Sequence, residues 1–392
     1  MKLKTLACLT LAALVTSLGG AAQGQTYQVF PPGNGTNPQA GVTIRADLVY
    51  GSAALGGLGS GAVYELKHLG NLVSFSGNTP GPEARVVFGP DGHLYGTFGG
   101  VGESFVFVVN PQPTICKVAR CQPWKVDVIH SFHFPDATDP GHGELAFDQQ
   151  GNIYGTGREG GQGDLGAVYE IMPPVPPSKA WTEKVIWNFS GNADGTDPQG
   201  GVILGGNGNL VGTTFQGGRF GVGSVFKLTL SGNGWQETNI YNFQDAEDGG
   251  FPVAGLLMDG AGNLYGSASD NGSGGGGTVF ELIPSGDTYT FKLLHSFVGQ
   301  PLRGCGPRAA LTMDSAGNLY GTTYCDGAFS QGNVFKLSKN GDSWLYSSLH
   351  DFPAFTGDIQ NAISNVSMDA DGNLWGTASA GGNGGGVWMI RH

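Results

Sequence analysis

Six polar residues follow a recurring point in the sequence, close behind a proline in most copies. They are Gln39, His142, Glu144, Gln199, Arg308 and, by position alone, Asn361. Histidine and carboxylate side chains carry out general acid/base chemistry and arginine stabilises anions, so His142, Glu144 and Arg308 are a candidate catalytic group. The amides suit hydrogen bonding to a polar ligand, and ordinary solvated loop residues are the competing interpretation. The outcome depends on the elements that carry these residues.

Near-copies of GNLYGTT, residues Gly317 to Thr323, recur along the whole chain. Spaced by about 55 residues, they have a period typical of solenoids and propellers. The seven copies of the LYG element begin at Val49, Leu94, Ile153, Leu210, Leu264, Leu319 and Leu374.

Each repeat unit contains four short strands. A strand such as GVIL (Gly201 to Leu204) is joined to LYG by a turn such as DSAGN. A glycine-rich loop, a segment such as GSVFKL (Gly223 to Leu228) and a strand such as WQETNIYNF (Trp235 to Phe243) complete the unit. Without helical periodicity, seven such units predict an all-β, seven-bladed β-propeller with four-stranded blades.

The two ends of the chain complement each other. The last unit stops after its third strand, while Tyr27 to Phe30 precedes the first unit as an orphan strand. We expect this strand to complete the last blade and close the ring, which favours a propeller over a capped solenoid. A phenylalanine closes each fourth strand in this pattern: Phe30, Phe75, Phe132, Phe189, Phe243, Phe297 and Phe352.

The LYG element is interpreted as a packing code. Neighbouring residues alternate faces along a strand, so Leu319 and Tyr320 are expected to enter opposite inter-blade layers. Gly321 then leaves room for the blade twist or for a neighbouring backbone.

In a propeller, the loop from one blade's outermost strand to the next blade's innermost strand enters the channel mouth. The prolines in these loops are Pro38, Pro80, Pro140, Pro198, Pro252 and Pro307, so the six polar residues are expected to ring the opening. Loops between second and third strands open on the same face and carry Phe220, Tyr324 and Phe329. These aromatic rings either stack on sugars or pack on neighbouring loops.

Four cysteines follow the first 25 residues, and they allow three pairings. Cys305 and Cys325 lie in loops that flank one blade on a shared face, and Cys116 and Cys121 share one connection, so we expect disulfides within these two pairs. A zinc site is the competing interpretation, but no CxxC spacing supports it.

Two further motifs have structural explanations. Turns such as DADGN (Asp369 to Asn373) resemble part of a calcium loop, but a hairpin turn explains all copies, so structural calcium is possible without being predicted. His130, His295 and His350 occupy one repeat position on different blades and are not expected to converge on a metal. No cofactor or metal is predicted.

Residues 1–25 have the pattern of a secretory signal peptide, with Lys2 and Lys4 before an apolar stretch and small residues at its end. Residues 26–392 are then expected to form one exported domain that binds no nucleic acid and has no membrane span. Removing the two lysines changes the formal charge from −12 to −14, and no basic cluster remains for phosphate. A monomer is expected.

With GNLYGTT and GxVFxL in view, the chain resembles the bacterial secreted proteins named for tandem GloVer repeats, and more loosely the NHL-type extracellular propellers. The resemblance implies an exported or surface protein and supplies no catalytic residues. Two departures are the second unit's SFVFVV (Ser104 to Val109) and a chain that ends at His392 without a sorting anchor.

The leading hypothesis is a secreted binding or interaction module whose channel mouth receives an extracellular glycan or protein. One alternative is a lyase or hydrolase that works at that mouth. Another is a structural component of the cell envelope.

Overall fold

The computed structural model describes residues 26–32, 35–66, 70–77, 81–99, 104–111, 124–140, 142–286, 288–298, 305–354, 358–382 and 384–391. The fold is a seven-bladed β-propeller of four-stranded antiparallel blades, as the sequence predicts. The described residues contain no α-helix and a single 3-10 turn at Gly206–Gly208. None of them forms a helix long and apolar enough to span a membrane.

The strands follow the repeat along the chain. They are β1 Tyr27–Phe30, β2 Gly35–Thr36, β3 Thr43–Arg45, β4 Leu48–Ala53, β5 Leu55–Gly57, β6 Gly59–Glu65, β7 Gly70–Ser76, β8 Val87–Phe88, β9 Leu94–Phe98, β10 Ser104–Pro111, β11 Trp124–Phe132, β12 Ala137–Thr138, β13 Ala146–Phe147, β14 Ile153–Gly157, β15 Glu159–Gly160, β16 Ala167–Met172, β17 Thr182–Asn188, β18 Ile203–Leu204, β19 Leu210–Thr214, β20 Ser224–Ser231, β21 Gly234–Asn242, β22 Leu257–Met258, β23 Leu264–Ala268, β24 Gly275–Ser285, β25 Thr288–Val298, β26 Thr312–Met313, β27 Leu319–Thr323, β28 Asn333–Asn340, β29 Ser343–Asp351, β30 Ile359–Gln360, β31 Ser367–Met368, β32 Leu374–Ala378, β33 Ala380–Gly381 and β34 Gly386–Ile390.

We number the blades in chain order. From the innermost strand outward they are blade 1, β3-β4-β6-β7; blade 2, β8-β9-β10-β11; blade 3, β13-β14-β16-β17; blade 4, β18-β19-β20-β21; blade 5, β22-β23-β24-β25; blade 6, β26-β27-β28-β29; and blade 7, β31-β32-β34-β1. In blade 1, β2 and β5 extend the sheet, and β5 runs parallel to β6.

Strand β1 closes the ring. It pairs antiparallel with β34, with Tyr27 opposite Ile390 and Phe30 opposite Val387, which confirms the prediction for the orphan strand. Phe30, however, does not take the closing-phenylalanine position. It has the register of His350 in blade 6, which lies opposite Val334, because β1 lacks the bulge that the other fourth strands contain.

The hydrophobic core is divided into seven clusters, one at each junction between blades. The tyrosine of one LYG element and the leucine of the next meet in the same cluster, as Tyr50 does with Leu94 and Tyr265 with Leu319. This arrangement confirms that the two residues point into opposite inter-blade layers.

The glycine of LYG has a different role from the expected one. A Cβ at Gly321 would lie 2.5 Å from Cζ of Phe335, and one at Gly376 would lie 2.3 Å from Cζ2 of Trp388. These rings come from the third strand of the same blade. The glycine therefore makes room for an aromatic side chain within the sheet, rather than for a neighbouring backbone.

The hydroxyl that follows LYG joins most blades to the next. In six blades it donates to a backbone carbonyl that precedes the next innermost strand, for example from Thr213 to Ala254 at 2.9 Å and from Thr377 to Ala40 at 2.9 Å. The other four bonds are Ser52 to Ala84, Thr156 to Gly200, Ser267 to Ala309 and Thr322 to Ser364. In blade 2 the buried hydroxyl of Thr97 has no hydrogen-bond partner among the described residues.

The turns that resemble calcium loops are hydrogen-bonded internally. Asp314 Oδ1 accepts from the backbone amides of Ala316 and Asn318, and its Oδ2 accepts from the Tyr320 hydroxyl at 3.0 Å. Burial would raise the pKa of Asp314, but these bonds and those from the Asn318 side chain outweigh it and lower that pKa. The carboxylate thus fixes the hairpin and the LYG tyrosine together.

Three sequence-based predictions fall on other parts of the chain. The signal peptide 1–25, Pro80 and the pair Cys116 and Cys121 lie outside the described residues.

Candidate functional site

The two sets of loops predicted to share a face are tied to each other there. In blade 3, β12 from the loop between blades pairs with β15 from the loop after the second strand, and β30 pairs with β33 in blade 7. A disulfide makes the corresponding connection in blade 6, where Cys305 and Cys325 are joined with their Cα atoms 4.7 Å apart. These links rigidify the rim of the channel.

A cavity of about 440 Å³ occupies the channel behind this rim. Five of the six polar residues expected to ring the opening line it: Gln39, His142, Glu144, Gln199 and Arg308. Phe147, Ile203 and Leu204 supply apolar surface to the same cavity. A role for any of these residues in ligand binding stays a prediction.

Asn361 is not among the residues that line the cavity. The backbone amide of Ser379 donates to the Asn361 carbonyl, just as the backbone amide of Phe215 donates to the Asp197 carbonyl. Asn361 therefore corresponds to Asp197, the residue before the proline in the loop that precedes blade 4. Its side-chain amide donates to the Tyr324 carbonyl at 3.2 Å. In blade 7, Ile363 and Asn365 line the cavity instead.

The same shift in register adds two residues from blade 2. In the loop before blade 2, the backbone amide of Gly81 donates to the Ala54 carbonyl. This bond makes Pro82, rather than Pro80, the counterpart of the other prolines. Glu83 and Arg85 then line the cavity at the positions held in blade 3 by His142 and Glu144.

A polar cluster crosses the deeper part of the channel. Glu144 of blade 3 forms an ion pair with Arg85 of blade 2, Nη2 to Oε2 at 2.6 Å, and accepts a short hydrogen bond from Asn365 of blade 7. Arg85 Nη1 also donates to Ser367 at 3.3 Å. At the repeat position of Arg85, Glu144 and Asn365, the four other blades have small residues, which leave the rest of the channel open. They are Gly41, Gly201, Gly255 and Ala310.

A second cluster lies closer to the mouth. His142 Nε2 is 3.2 Å from Glu83 Oε2 and 3.3 Å from Arg158 Nη1. Arg158 Nε donates to Asp197 Oδ1 at 3.0 Å, and Gln199 donates to Asp197 Oδ2 at 2.9 Å. The chain of contacts joins side chains from the loops before blades 2, 3 and 4.

Burial raises the pKa of the Glu83 carboxyl. His142 and Arg158 lower it and Asp139 raises it, but these charges do not offset the cost of burial. Glu83 therefore takes up a proton more readily than an exposed glutamate, and a histidine lies within reach to exchange it.

The loop aromatics divide into two groups. The guanidinium of Arg308 lies over the aromatic ring of Tyr324, with its Cζ 4.8 Å from the ring centroid. Phe220 and Phe329 are about half exposed, with 48% and 47% of their surface accessible. Arg219 likewise lies over the Phe220 ring, with its Cζ 5.4 Å from the ring centroid. Stacking on sugars stays a prediction for all three aromatic residues.

Sequence reasoning missed Glu83, Arg85, Arg158 and Asn365. The proline used as a marker is variable in position, whereas the buried valine or leucine directly before each innermost strand is not. Counting back from Val86, Leu145, Val202 and Val366 would have aligned all four loops correctly.

The repeat motif also decides the family. A family model described as the Gloeobacter/Verrucomicrobia repeat matches residues 142–390, more than half of the chain. The chain belongs to this family. No curated protein matches it in sequence.

Solved structures share the propeller fold at low identity. A protein from Bacteroides uniformis, provisionally assigned as a 6-phosphogluconolactonase, is 13% identical with a TM-score of 0.50, over 82% of this chain and 85% of that one. An ulvan lyase is 10% identical with a TM-score of 0.47, over 92% and 94% of the two chains. An aldose sugar dehydrogenase from Streptomyces coelicolor is 12% identical with a TM-score of 0.43, over 95% and 99%. At these levels the similarity concerns the fold alone.

Proposed function

We propose that this protein is an exported binding module that receives a segment of an extracellular polysaccharide in its channel mouth. The observation that carries the proposal is the cavity of about 440 Å³, in which polar side chains from several blades lie beside apolar surface. Carbohydrate sites combine these two kinds of surface, since sugars present hydroxyl groups at their edges and apolar C–H faces. A protein loop is the other occupant that the test below distinguishes.

A further feature favours a sugar. The exposed rings of Phe220 and Phe329 are suited to stacking on sugar units outside the mouth.

Binding is favoured over catalysis because most of the charged groups at the mouth are already paired. Glu144 is held by Arg85 and Asn365, and Asp197 is held by Arg158 and Gln199. Carboxylates held in this way orient the side chains around a site.

One observation supports an enzyme as the second candidate. Glu83 and His142 form a close pair at the mouth, and burial raises the pKa of Glu83, as expected of a general acid or base. In a lyase or hydrolase of this kind, the pair would move the proton and Arg308 would hold an anionic group of the substrate.

Export through the signal peptide 1–25 and a monomeric single domain at 26–392 are part of the same proposal. The disulfide between Cys305 and Cys325 is consistent with an oxidising compartment. Size-exclusion chromatography of the mature chain checks the monomer.

The test is a thermal-shift screen of the mature protein against calcium, EDTA and a panel of plant and microbial polysaccharides. A ligand that binds the folded state raises the melting temperature. We expect one class of polysaccharide to do so, and Arg308→Ala and Gln199→Ala to weaken the shift. Leu230→Ala, an exposed substitution on an outermost hairpin, should leave the shift unchanged. No shift with any polysaccharide would refute the proposal and favour a protein partner, whereas cleavage of the bound polysaccharide that is lost in Glu83→Gln would favour the enzyme.

A further inference from the structure

Three side chains with metal-binding atoms meet between the outer edges of blades 2 and 3. His130 lies on β11, Asp136 follows that strand, and Glu183 lies on β17 of the next blade. One ligand atom from each lies within 4.8 Å of the other two. His130 Nε2 and Asp136 Oδ2 are 3.8 Å apart, too far for a direct hydrogen bond.

Two atoms of these side chains lack partners. His130 Nε2 and Glu183 Oε1 are buried, and neither has a hydrogen-bond partner in the described part of the chain. Asp136 Oδ2 is oriented by the His133 backbone amide, which donates to it at 2.9 Å. Burial of a nitrogen lone pair and a carboxylate oxygen without partners costs free energy, so the arrangement needs an explanation.

The junction between blades 4 and 5 shows how the position of His130 can be satisfied within the chain. Tyr241 has the register of His130, since both lie opposite the valine of the third strand, and its hydroxyl donates to Asp248 at 2.7 Å. Phe291 stacks on that tyrosine from the next blade, with ring centroids 4.7 Å apart. In this junction the aromatic hydroxyl reaches the loop carboxylate directly.

The other histidines of the repeat position face aromatic rings. His295 stacks on Tyr346 with centroids 4.4 Å apart, and His350 stacks on Tyr27 with centroids 3.8 Å apart. Of the three described histidines at this position, His130 alone faces two carboxylates. The three histidines do not converge, as the sequence predicts, and the additional ligands at His130 come from residues that the repeat position does not indicate.

We propose that His130, Asp136 and Glu183 bind one divalent transition-metal ion of the Zn²⁺ type, which joins the outer strands of blades 2 and 3. One imidazole nitrogen with two carboxylate oxygens suits Zn²⁺ better than Ca²⁺, which takes oxygen ligands only. Ligands about 2.0–2.2 Å from a tetrahedral zinc ion lie about 3.4 Å from one another, so binding requires the three side chains to close by roughly 1 Å.

The test is calorimetric titration of the EDTA-treated, mature protein with zinc chloride, with bound zinc counted after dialysis. We expect one zinc ion per chain with a dissociation constant in the micromolar range or below. His130→Tyr and Glu183→Gln should each weaken binding at least about tenfold, because even loss of an outer-shell partner has that effect.

The substitutions are chosen so that folding is retained. Tyrosine at position 130 copies the arrangement of Tyr241, and glutamine preserves the shape of Glu183. His295→Tyr is the matched control, since it changes the same repeat position where no carboxylate cluster lies, and it should bind zinc like the unaltered protein. The proposal is overturned if the unaltered protein binds no zinc, or if both folded variants bind it as tightly as the control.

Discussion

A single hydroxyl links one blade to the next in six of the seven repeats. Thr213 is buried and its hydroxyl donates to the Ala254 carbonyl across the junction between blades 4 and 5. In blade 2, Thr97 is equally buried but its hydroxyl has no partner among the described residues. The chain therefore contains both a satisfied and an unsatisfied version of the same position.

Valine substitutions at these two positions should have different effects. Thr213→Val leaves the Ala254 carbonyl buried without its donor, and we expect it to lower the free energy of unfolding by about 1–3 kcal/mol. Thr97→Val removes a hydroxyl that is already unsatisfied, so it should be neutral or stabilising. Urea unfolding of both variants is the measurement, and equal losses at the two positions would contradict this role for the hydroxyl.

Within each blade, the strands are fitted together by the glycine of LYG and the aromatic residue of the third strand. A Cβ at Gly321 would lie 2.5 Å from Phe335 Cζ, closer than real contacts allow. Phe335 is completely buried and cannot move away without disturbing the junction with blade 5.

Gly321→Ala should therefore destabilise the protein by about 1–3 kcal/mol through overpacking. Gly260→Ala is the control, because Gly260 lies in an exposed turn where a Cβ would meet nothing within 4 Å. Chemical denaturation distinguishes the two. If Gly321→Ala is as stable as Gly260→Ala, the aromatic ring does not require this glycine.

The blades could be predicted from the sequence because the same pattern of strand and turn residues occurs seven times. Leu319 and Tyr320 alternate faces in every copy, and the Asp314 turn is written again at Asp259 and Asp369. The mouth was harder to predict because its residues differ between copies. In blade 2 the marker proline, Pro80, precedes the true counterpart Pro82 by two residues, so the sequence analysis does not identify Glu83 and Arg85. In blade 7 the sequence analysis names Asn361, which lies two residues before Ile363, the residue at the equivalent position.

The contact at Glu144 illustrates a second limit on what the sequence predicts. Its partners Arg85 and Asn365 come from blades 2 and 7, far apart in sequence, and they meet only because the channel is narrow and lined elsewhere by glycine and alanine. No local pattern specifies such a contact. The same is true of Glu183 near His130, which depends on how adjacent blades pack.

At the scale of the whole molecule, the ring is closed by β1 and by the contacts of Tyr27. The aromatic ring of Tyr27 stacks on His350 of blade 6, and the Tyr27 hydroxyl donates to Asp358 at 3.4 Å. Burial lowers the pKa of His350 to about 4, and the nearby Asp351 offsets only part of that effect.

The closure should therefore weaken in acid. The unfolded chain takes up a proton at position 350 below about pH 6.5, whereas the folded protein resists until about pH 4. The stability contributed by neutral His350 is complete above pH 6.5 and is lost progressively as the pH falls toward 4.

His350→Phe should lose less stability between pH 7 and pH 4.5 than the unaltered protein, and phenylalanine already occupies this register at Phe30. The exposed substitution His133→Gln should retain the original pH dependence. Urea unfolding at the two pH values tests this, and an unchanged pH dependence in His350→Phe would show that the closing contact is insensitive to protonation.

The central claim is that the channel mouth binds a polysaccharide, and a bulky side chain placed in it gives the most direct test. Val253 lines the cavity without belonging to either polar cluster, so Val253→Trp fills the mouth and leaves the ion pairs intact. Val175 is exposed in a connection between third and fourth strands, on the opposite face, and Val175→Trp is the matched control.

The measurement is binding of labelled residues 26–392 and both variants to an array of plant and microbial polysaccharides. We predict that the unaltered protein and Val175→Trp bind the same class of polysaccharide, and that Val253→Trp binds it at least about tenfold more weakly, since filling the mouth removes the buried contacts. Equal binding by the Val253→Trp protein would contradict the account, as would the absence of any polysaccharide that the unaltered protein binds.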